Sequence, residues 1–485
     1  MRRVSVAYKR STALVALVAM LAGCGGGGGG SSGGATGSVP TPTPTASPTP
    51  TTTAGCSLRE RQDWAAAQLR EWYLFPETLP ANLDPSPFTT VDSYIDALTA
   101  TARNQQRDRF FTYLTSIAEE NAFFNSGATA GFGFRLTLDS ARTRIIVSES
   151  FEGTPALTAG IDRGTQIVGI GTTTGNVRTI GAIDATGPNA LTEALGPDTP
   201  GTSRVFRIQD GAATRDVTVA KADYELTPVS SRYGAQVIDD GGRKVGYVNL
   251  RTFINTADAP LRQAFANFRA QGIGEVIVDF RYNGGGLISI AELMGDLLGR
   301  NRSTSDVFSY TVFRPEKANN NSTRFFRPLD QSIAPTKIAF IGTRGTASAS
   351  ELVINAFVPY LRNNVALVGT NTFGKPVGQI ALDRAACDDR LRVVALATQN
   401  AERRGDYYTG LASTVGATCA AGDDLTRPLG NPQEASTRAA LDFLAGRTCS
   451  PITGSGGEAR ALSAPRELLS PERPSTAQRD TPGLF

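Results

Sequence analysis

The chain has 485 residues, of which 40% are hydrophobic and 19% charged, and its formal net charge is +3. This composition is ordinary for a soluble globular protein, and so small a net charge gives no reason to expect a nucleic-acid partner. The chain contains no histidine, which excludes histidine metal sites and every serine hydrolase that uses imidazole as its base.

The first residues have the pattern of an export signal. A basic start precedes a short apolar run over residues 13–22, which is too short to span a bilayer. The run ends in residues 21–24, Leu-Ala-Gly-Cys, which resemble the lipobox of bacterial lipoproteins. The resemblance implies that residues 1–23 are a lipoprotein signal peptide and that Cys24 carries the lipid. Gly25, rather than Asp, follows the cysteine, so we expect an outer-membrane anchor with the protein facing the periplasm.

Two segments carry too few apolar side chains to build a core. Residues 24–55 are rich in Gly, then in Thr and Pro, and we expect them to form a tether that holds the fold away from the lipid. Residues 450–485 are rich in Pro, Ser, Arg and Glu with a few isolated leucines, and we expect a disordered tail. The remaining stretch of about 390 residues suits two or three domains.

Four cysteines remain in the exported part: Cys56, Cys387, Cys419 and Cys449. An even number in an oxidising compartment predicts two disulfides, with buried free thiols as the alternative. The sequence allows three connectivities, and we expect Cys387 to pair with Cys419 and Cys56 with Cys449. Without a CxxC spacing or histidine, we expect no metal site.

Residues 56–125 carry the apolar spacing of helices, interrupted by four prolines. We expect a small N-terminal helical domain whose aromatic side chains pack its core.

Residues 126–222 change to short strands separated by glycine turns. The segment opens with Gly-Phe-Gly-Phe, followed by Glu-Gly-Thr-Pro-Ala at residues 152–156 and Ala-Gly-Ile at residues 159–161. This order resembles a PDZ domain, although Thr165 stands where such domains usually have Asp. The resemblance implies a loop whose N–H groups bind a peptide carboxylate, beside a strand edge that pairs with the peptide. The residues of this loop are Gly131, Phe132, Gly133 and Phe134.

Residues 223–449 alternate strands and helices. Short apolar runs occur at residues 245–248, 275–280, 338–341 and 365–368, and helical patterns separate the last three. This alternation predicts βαβ units around a buried, mostly parallel sheet. Catalytic groups in such sheets lie on loops beyond the strand ends.

Two motifs in this core could supply a nucleophile and a base. Ser348 follows the strand at residues 338–341 and begins a helix, where the helix dipole and free N–H groups favour a developing oxyanion. Lys375 lies just past the next strand, so one right-handed crossover brings Ser348 and Lys375 to the same sheet edge. A lysine amine is the common substitute for imidazole as the base. The alternative for Ser348 is a helix cap.

A glycine run at residues 284–286, after the strand ending in Asp279 and Phe280, could supply further N–H donors, because no β-carbon blocks the backbone. The alternative is a plain strand-to-helix turn.

Residues 346–351, Thr-Ala-Ser-Ala-Ser-Glu, and residues 373–375, Phe-Gly-Lys, together resemble the C-terminal processing, or tail-specific, proteases. The resemblance implies a serine–lysine peptidase in which Ser348 is the nucleophile, Lys375 the general base and Gln379 the residue that orients the lysine.

The same resemblance implies that Gly285 and Ala349 donate the N–H groups of the oxyanion hole. It implies a multidomain α/β protein whose βαβ core has the fold shared by Clp protease and crotonase, joined to a PDZ-like domain and a small N-terminal helical domain. The expected function is a periplasmic serine endopeptidase that cleaves unfolded or tail-presenting proteins through an acyl-enzyme, without a cofactor. Its expected partners are protein or peptide substrates, bound by their C-terminal tails, and the membrane, bound by the lipid anchor. Whether an adaptor or an oligomer also takes part stays open.

The chemistry also requires an unusual lysine. Lowering the pKa of Lys375 from near 10.4 to about 7 or 8 takes roughly 4 kcal/mol, so its amine must be buried and free of a carboxylate partner.

The choice of serine has one alternative. The segment from Ser348 to Lys375 is two residues longer than is usual in these proteases, and spacing alone would select Ser350. We prefer Ser348, because extra residues in a helix-to-strand loop cost little, whereas a shift of two positions turns the serine about 200° around the helix.

Two other function classes compete. A non-catalytic peptide-binding or scaffolding lipoprotein would keep the PDZ-like part, but loss of Ser348 or Lys375 would mark it, and both are present. A penicillin-binding or β-lactamase-like enzyme needs a lysine three residues after its serine, and no lysine here has that spacing.

Lipidation at Cys24 has a direct test. Cys24→Ser should release the protein from the outer-membrane fraction, because the acyl chains can no longer attach. Mass spectrometry and membrane fractionation measure the two effects. Unchanged fractionation of the variant together with an unmodified wild-type mass would contradict the prediction.

Overall fold

A computed structural model describes residues 53–453 and 466–485. All of these residues belong to one compact unit, residues 52–485. Within the described residues no helix is both long enough and apolar enough to cross a membrane. The predicted signal peptide, the lipidated Cys24 and most of the predicted tether lie outside them.

The N-terminal region is mainly helical, as its apolar spacing predicts. Helices α1 to α4 span Leu58–Trp72, Val91–Leu98, Ala100–Asn104 and Ile117–Ser126, and strand β1 spans Tyr113–Ser116. Helix α1 begins at Ser57, whose hydroxyl accepts from the Glu60 N–H while the Glu60 carboxylate accepts from the Ser57 N–H, forming a capping box. The apolar faces of α1 and α2 share a core with Leu391 and Val393 from much later in the chain. The region is therefore built into the common fold.

The segment predicted to be PDZ-like forms short strands and small helices. Strands β2 to β9 span Ala128–Gly131, Phe134–Asp139, Ile145–Ser150, Gln166–Gly171, Arg178–Thr179, Ser203–Asp210, Ala213–Ala220 and Ala222–Glu225. Helices α5 to α7 span Pro155–Thr158, Ile180–Asp184 and Ala190–Leu195. The strands pair antiparallel in the order β3-β4-β5-β7-β8, with β6 on β5, while β2 pairs with β9. Within residues 126–222, strand β3 is the outermost strand on one side of this sheet.

The central region contains the parallel sheet that the sequence predicts. Strands β10 to β19 span Ala235–Asp240, Arg243–Asn249, Glu275–Asp279, Val307–Phe313, Ser322–Phe325, Lys337–Gly342, Val365–Gly369, Val377–Arg384, Asp389–Gln399 and Ala417–Ala420. Helices α8 to α11 span Asp258–Ala270, Ile288–Leu298, Ala349–Leu361 and Ala435–Leu444. The main sheet has the order β10-β11-β12-β15-β16-β19, parallel except for the β10 and β11 pair. Its apolar strands are buried between helices, as βαβ units require.

A second sheet connects this core to the N-terminal region. Its order is β1-β18-β13-β14, with β17 paired to β18. Strand β17 begins two residues after Lys375, so this sheet positions the loop that carries the lysine.

The expectation of disorder over residues 450–485 is wrong for residues 466–485. Strand β20, Arg466–Leu468, pairs antiparallel with β3, and helix α12 spans Thr476–Asp480. Leu484 and Phe485 are buried. The composition of the segment is poor in apolar residues, and its order comes from a sheet edge and pockets that distant residues supply.

The expected disulfide pairs, Cys387 with Cys419 and Cys56 with Cys449, are also wrong. Cys56 bonds to Cys387, and Cys419 bonds to Cys449. The first pair forms because α1 packs on β18, next to the turn of Cys387, where Arg61 and Asp389 form an ion pair. The second forms because helix α11 packs on the main sheet and returns the chain to β19.

Non-reducing peptide mapping should recover Cys56 linked to Cys387 and Cys419 linked to Cys449. The second bond closes a sequence separation of 30 residues, so loop-closure entropy predicts that a Cys419→Ala/Cys449→Ala variant loses about 3 to 4 kcal/mol in free energy of unfolding. Urea denaturation with and without reductant measures this loss. Recovery of a Cys387–Cys419 peptide would contradict the pairing.

Candidate active site

Ser348 lies in the turn between strand β15 and helix α10. Its backbone has φ 54° and ψ −113°, a left-handed conformation that non-glycine residues rarely adopt and that costs on the order of 1 to 3 kcal/mol. Gly285 approaches so closely that a β-carbon there would lie 2.8 Å from the Ser348 Cβ. The strained turn therefore holds the half-buried serine side chain at the start of a helix and against the glycine run.

Glu351 joins the serine turn to the lysine loop. Its fully buried carboxylate accepts hydrogen bonds from the N–H groups of Ser348 at 3.0 Å, Gly374 at 2.7 Å and Lys375 at 2.7 Å. The Thr372 hydroxyl donates a fourth bond at 2.6 Å. Burial raises the pKa of Glu351 and these donors lower it again, with burial the larger effect. One carboxylate thus fixes the backbones of both expected catalytic residues.

The motifs predict no separate role for Glu351. A signal was present, since an acidic residue stands three positions after the serine, where it can reach back to the serine N–H. Its contact with the lysine loop depends on the folded crossover.

Lys375 and Gln379 meet as the sequence predicts. The Lys375 Nζ donates to the Gln379 Oε1 at 2.9 Å and lies 5.0 Å from the centroid of the Phe111 ring. The Gln379 Nε2 donates to the Phe111 carbonyl, which holds the amide in place. Lys375 forms no ion pair within the described part of the chain. Burial lowers the pKa of Lys375 to about 8, with smaller opposing contributions from surrounding charges.

The structure brings Ser348 and Lys375 to one edge of the sheet without joining them directly. Strands β15 and β16 are parallel neighbours, and helix α10 connects them, so both residues follow the carboxyl ends of adjacent strands. Among the described residues, no hydrogen bond joins the Ser348 hydroxyl to the Lys375 amine. Long or absent contacts of this kind are common in enzymes without substrate.

Ser350, the alternative nucleophile, points elsewhere. Its side chain is fully buried, and its hydroxyl donates to the Asn283 carbonyl at 3.1 Å. This bond ties the first turn of α10 to the glycine run. The geometry favours a structural role for Ser350 and leaves Ser348 as the nucleophile candidate.

The expected oxyanion donor Gly285 contacts a neighbouring side chain, and its donor role stays a prediction. Its N–H donates to the Asn283 Oδ1 at 2.9 Å and is therefore already engaged. The neighbouring Gly284 N–H instead donates to the peptide carbonyl of Asp480 at 2.9 Å. Gly284 is thus the better donor candidate, and Gly285 provides the space beside Ser348. Ala349 is the first residue of α10, where N–H groups have no partner within the helix, and its donor role stays a prediction.

Arg281 precedes the glycine run and fixes its start through ion pairs. Its guanidinium is fully buried and donates to the carboxylates of Asp279 and Glu434 at 2.9 to 3.0 Å and to Asp423 at 3.1 Å. Paired charges of this kind are costly to break, because removing one partner leaves another buried and uncompensated. The sequence shows the arginine beside Asp279, but its other two partners, Asp423 and Glu434, lie 142 and 153 positions away.

Two N–H groups of the loop expected to bind a carboxylate converge on one oxygen atom. The N–H groups of Gly133 and Phe134 donate to the carbonyl oxygen of Phe485 at 2.9 and 3.3 Å. Gly131 lies against the same residue, since a β-carbon there would be 2.8 Å from its carbonyl carbon. The rings of Phe132 and Phe134 are buried in the core that also holds the Phe485 side chain. An expected peptide site therefore holds a segment of this chain.

A cleft of about 1310 Å³ lies beside the lysine and the glycine run. Lys375, Gly284 and Ala347 line it, together with Arg479 and Asp480 from the last segment.

Comparisons with known proteins agree with the resemblance seen in the motifs. Residues 244–401 match the model of peptidase family S41. The chain is 28% identical over 276 residues to a chloroplastic C-terminal processing peptidase of Tetradesmus obliquus, covering 53% of this chain and 54% of that protein. It is 28% identical over 260 residues to a carboxyl-terminal-processing protease of Picosynechococcus sp., covering 52% and 55%. The chain thus spans about half the length of the curated relatives it matches.

The fold has a solved counterpart. A crystal structure from Bacteroides fragilis NCTC 9343, described as that of an S41 protease, matches with a TM-score of 0.62 and 23% identity, covering 79% of this chain and 97% of that chain. A likeness at this identity establishes the fold, which is that of an S41 protease with mixed α/β sheets. We conclude that residues 244–401 match the model of peptidase family S41 and that the chain is similar to C-terminal processing peptidases over about half of its length.

Proposed function

We propose that the chain is a serine endopeptidase that uses Ser348 as its nucleophile and Lys375 as its general base. The observation that carries this proposal is the buried Glu351 carboxylate, which binds the backbone N–H groups of both residues. Such rigid positioning is what a two-residue catalytic unit needs. The lowered pKa of Lys375 supports the role of base, because a neutral amine can take a proton near neutral pH.

The reaction would proceed through an acyl-enzyme. The neutral Lys375 amine takes the proton of the Ser348 hydroxyl as its oxygen attacks the peptide carbonyl carbon. The N–H groups of Gly284 and Ala349 stabilise the resulting oxyanion. The lysine then returns the proton to the leaving amine as the C–N bond breaks. A water molecule, deprotonated by the same lysine, hydrolyses the ester and regenerates the serine.

Substrate binding would use the carboxylate-binding loop. The N–H groups of Gly133 and Phe134 can hold a peptide carboxylate, and the edge of β3 can pair with the preceding residues. We therefore propose that unfolded or tail-presenting proteins are the substrates, with a PDZ-like segment over residues 126–222.

The proposed location is the periplasmic face of the outer membrane, with a lipid anchor at Cys24. Residues 21–24 and the composition of residues 24–55 support it. The two disulfides fit an oxidising compartment.

The dyad is tested by substitution. Ser348→Ala and Lys375→Ala should each lower cleavage of an unfolded fluorescent protein by about a thousandfold or more, and the double variant should lose no more, because the two act as one unit. Gln379→Ala should have a smaller effect. Lys375→Arg should also fail, since a guanidinium keeps its proton near neutral pH.

Ser350→Ala is the matched control for the nucleophile. It removes a buried hydrogen bond and should reduce activity far less than Ser348→Ala. If Ser350→Ala is inactive while Ser348→Ala cleaves, the nucleophile is misassigned. If neither substitution matters, the chain is not a serine peptidase of this kind.

Activity should rise with pH and reach half of its plateau near pH 8. The lysine must be neutral to act, and its neutral fraction grows as the pH passes its pKa of about 8. Burial lowers this pKa most; Asp480 and Asp108 raise it, while Arg479 and Arg392 lower it. The kcat/KM of the free enzyme between pH 6 and 10 measures the inflection. A flat or falling profile would contradict Lys375 as the base.

A further inference from the structure

The last segment of the chain lies along the edge of β3 like a bound peptide. Strand β20 pairs antiparallel with residues 137–139, and the Leu469 N–H donates to the Leu136 carbonyl at 3.0 Å. Farther along, the Leu136 N–H donates to the Gly483 carbonyl at 2.8 Å, and the Phe485 N–H donates to the Phe134 carbonyl at 3.0 Å. The segment thus pairs with β3 in two stretches, and residues 470–482 leave the edge between them.

Two apolar side chains anchor the second stretch. Phe485 is 3% exposed and joins the core formed around Phe132, Phe134 and Phe206. Leu484 is also 3% exposed and packs in a separate cluster with aromatic and aliphatic side chains from three other regions. The groove therefore accepts a large apolar side chain at each of two consecutive positions, with N–H donors directly beyond them.

The stretch that leaves the edge covers the candidate active site. The Asp480 carbonyl accepts from the Gly284 N–H at 2.9 Å, where the proposed mechanism needs a donor to the substrate carbonyl. The carboxyl group of Asp480 lies near Lys375, and it contributes to the pKa of the lysine. The Arg479 guanidinium lies 3.9 Å from the centroid of the Tyr113 ring and donates to the Phe110 carbonyl at 2.9 Å. A substrate cannot reach Gly284 while this stretch is in place.

Two buried polar atoms weaken the docking of residues 470–482. The Oδ2 of Asp480 and the hydroxyl of Thr481 are buried without a hydrogen-bond partner in the described structure, and such atoms oppose docking because they have lost their contacts with water. The surrounding sheet, in contrast, is fixed firmly to the core. Arg251 forms ion pairs with Glu149 at 2.7 Å and Glu152 at 2.8 Å, the first of them fully buried.

We propose that residues 466–485 are an intramolecular peptide ligand of the groove formed by β3 and the loop of Gly133 and Phe134. The groove takes extended peptides whose last two residues are large and apolar, and an incoming peptide of this class must displace the segment before the active site opens. The binding part stands on the contacts described here, and only the link to cleavage rests on the proposed function.

Binding is tested in a Ser348→Ala background, which prevents cleavage. The probe is a fluorescein-labelled peptide with the sequence of residues 479–485, and anisotropy measures its affinity. Leu484→Asp/Phe485→Asp should increase probe affinity about tenfold or more, because the competing segment no longer occupies the groove. Phe325→Asp, at a surface position that is 41% exposed, is the matched control and should leave the affinity unchanged. A probe ending in Asp-Asp should not bind.

Hydrogen exchange provides a second measurement that needs no substitution in the tail. Saturating the Ser348→Ala chain with the probe should speed exchange of the amides in residues 466–485, because displacement exposes them to water. Unchanged exchange with the probe bound, or no binding of the apolar probe to any variant, overturns the proposal.

The link to cleavage is tested with Ser348 intact. Leu484→Asp/Phe485→Asp should cleave an unfolded protein about fivefold faster or more than the unaltered chain, and Phe325→Asp should not. If probe binding and exchange behave as expected but no variant cleaves, the proposed function falls and the intramolecular ligand stands. If the unaltered chain cleaves and the tail variant neither binds the probe more tightly nor cleaves faster, the intramolecular ligand is wrong.

Discussion

The buried carboxylate of Glu351 is the constraint on which the candidate site depends. It accepts four hydrogen bonds, three of them from backbone N–H groups on the serine turn and the lysine loop. These groups follow the carboxyl ends of neighbouring parallel strands, which lie at the same edge of the sheet. The carboxylate therefore fixes the distance between the two backbones at that edge. The burial of an acidic group is costly, and here the four donors offset that cost. In the part of the chain that the structure describes, no hydrogen bond joins the side chains of Ser348 and Lys375 to each other.

Buried ion pairs hold the glycine run and the neighbouring sheet in place. Arg281 lies among Asp279, Asp423 and Glu434, while Arg251 lies between Glu149 and Glu152. Both buried arginines are paired with carboxylates, so the glycine run and the neighbouring sheet are held by ion pairs that are costly to break. The segment at residues 466–485 is attached mainly through a strand edge and through the apolar side chains of Leu469, Ala477, Leu484 and Phe485. Its docking also covers the open edge of β3, which an isolated sheet would otherwise expose to unwanted pairing.

Several features were predictable because they depend on local sequence. Apolar runs separated by helical spacing predicted the parallel sheet, and the residues around Ser348 and Lys375 predicted that both follow adjacent strands. The resemblance to C-terminal processing proteases implied that Gln379 orients Lys375, and a hydrogen bond between the two side chains is present. The resemblance to C-terminal processing proteases rests on two short motifs, and residues 244–401, which match the model of peptidase family S41, contain them both.

By itself, the sequence determined the absence of imidazole chemistry, the order of strands and helices, and the serine and lysine motifs. Only the tertiary structure decided the disulfide partners, the hydrogen bonds of the Gly284 N–H and of the Glu351 carboxylate, and the order of residues 466–485. These features share a physical cause. Each depends on contacts between groups far apart in the chain, and a cysteine, a glycine or a weakly apolar tail carries no local mark of its partner. Phe485 is buried because residues more than 250 positions earlier form a pocket for it, and no property of the tail's own composition records that pocket.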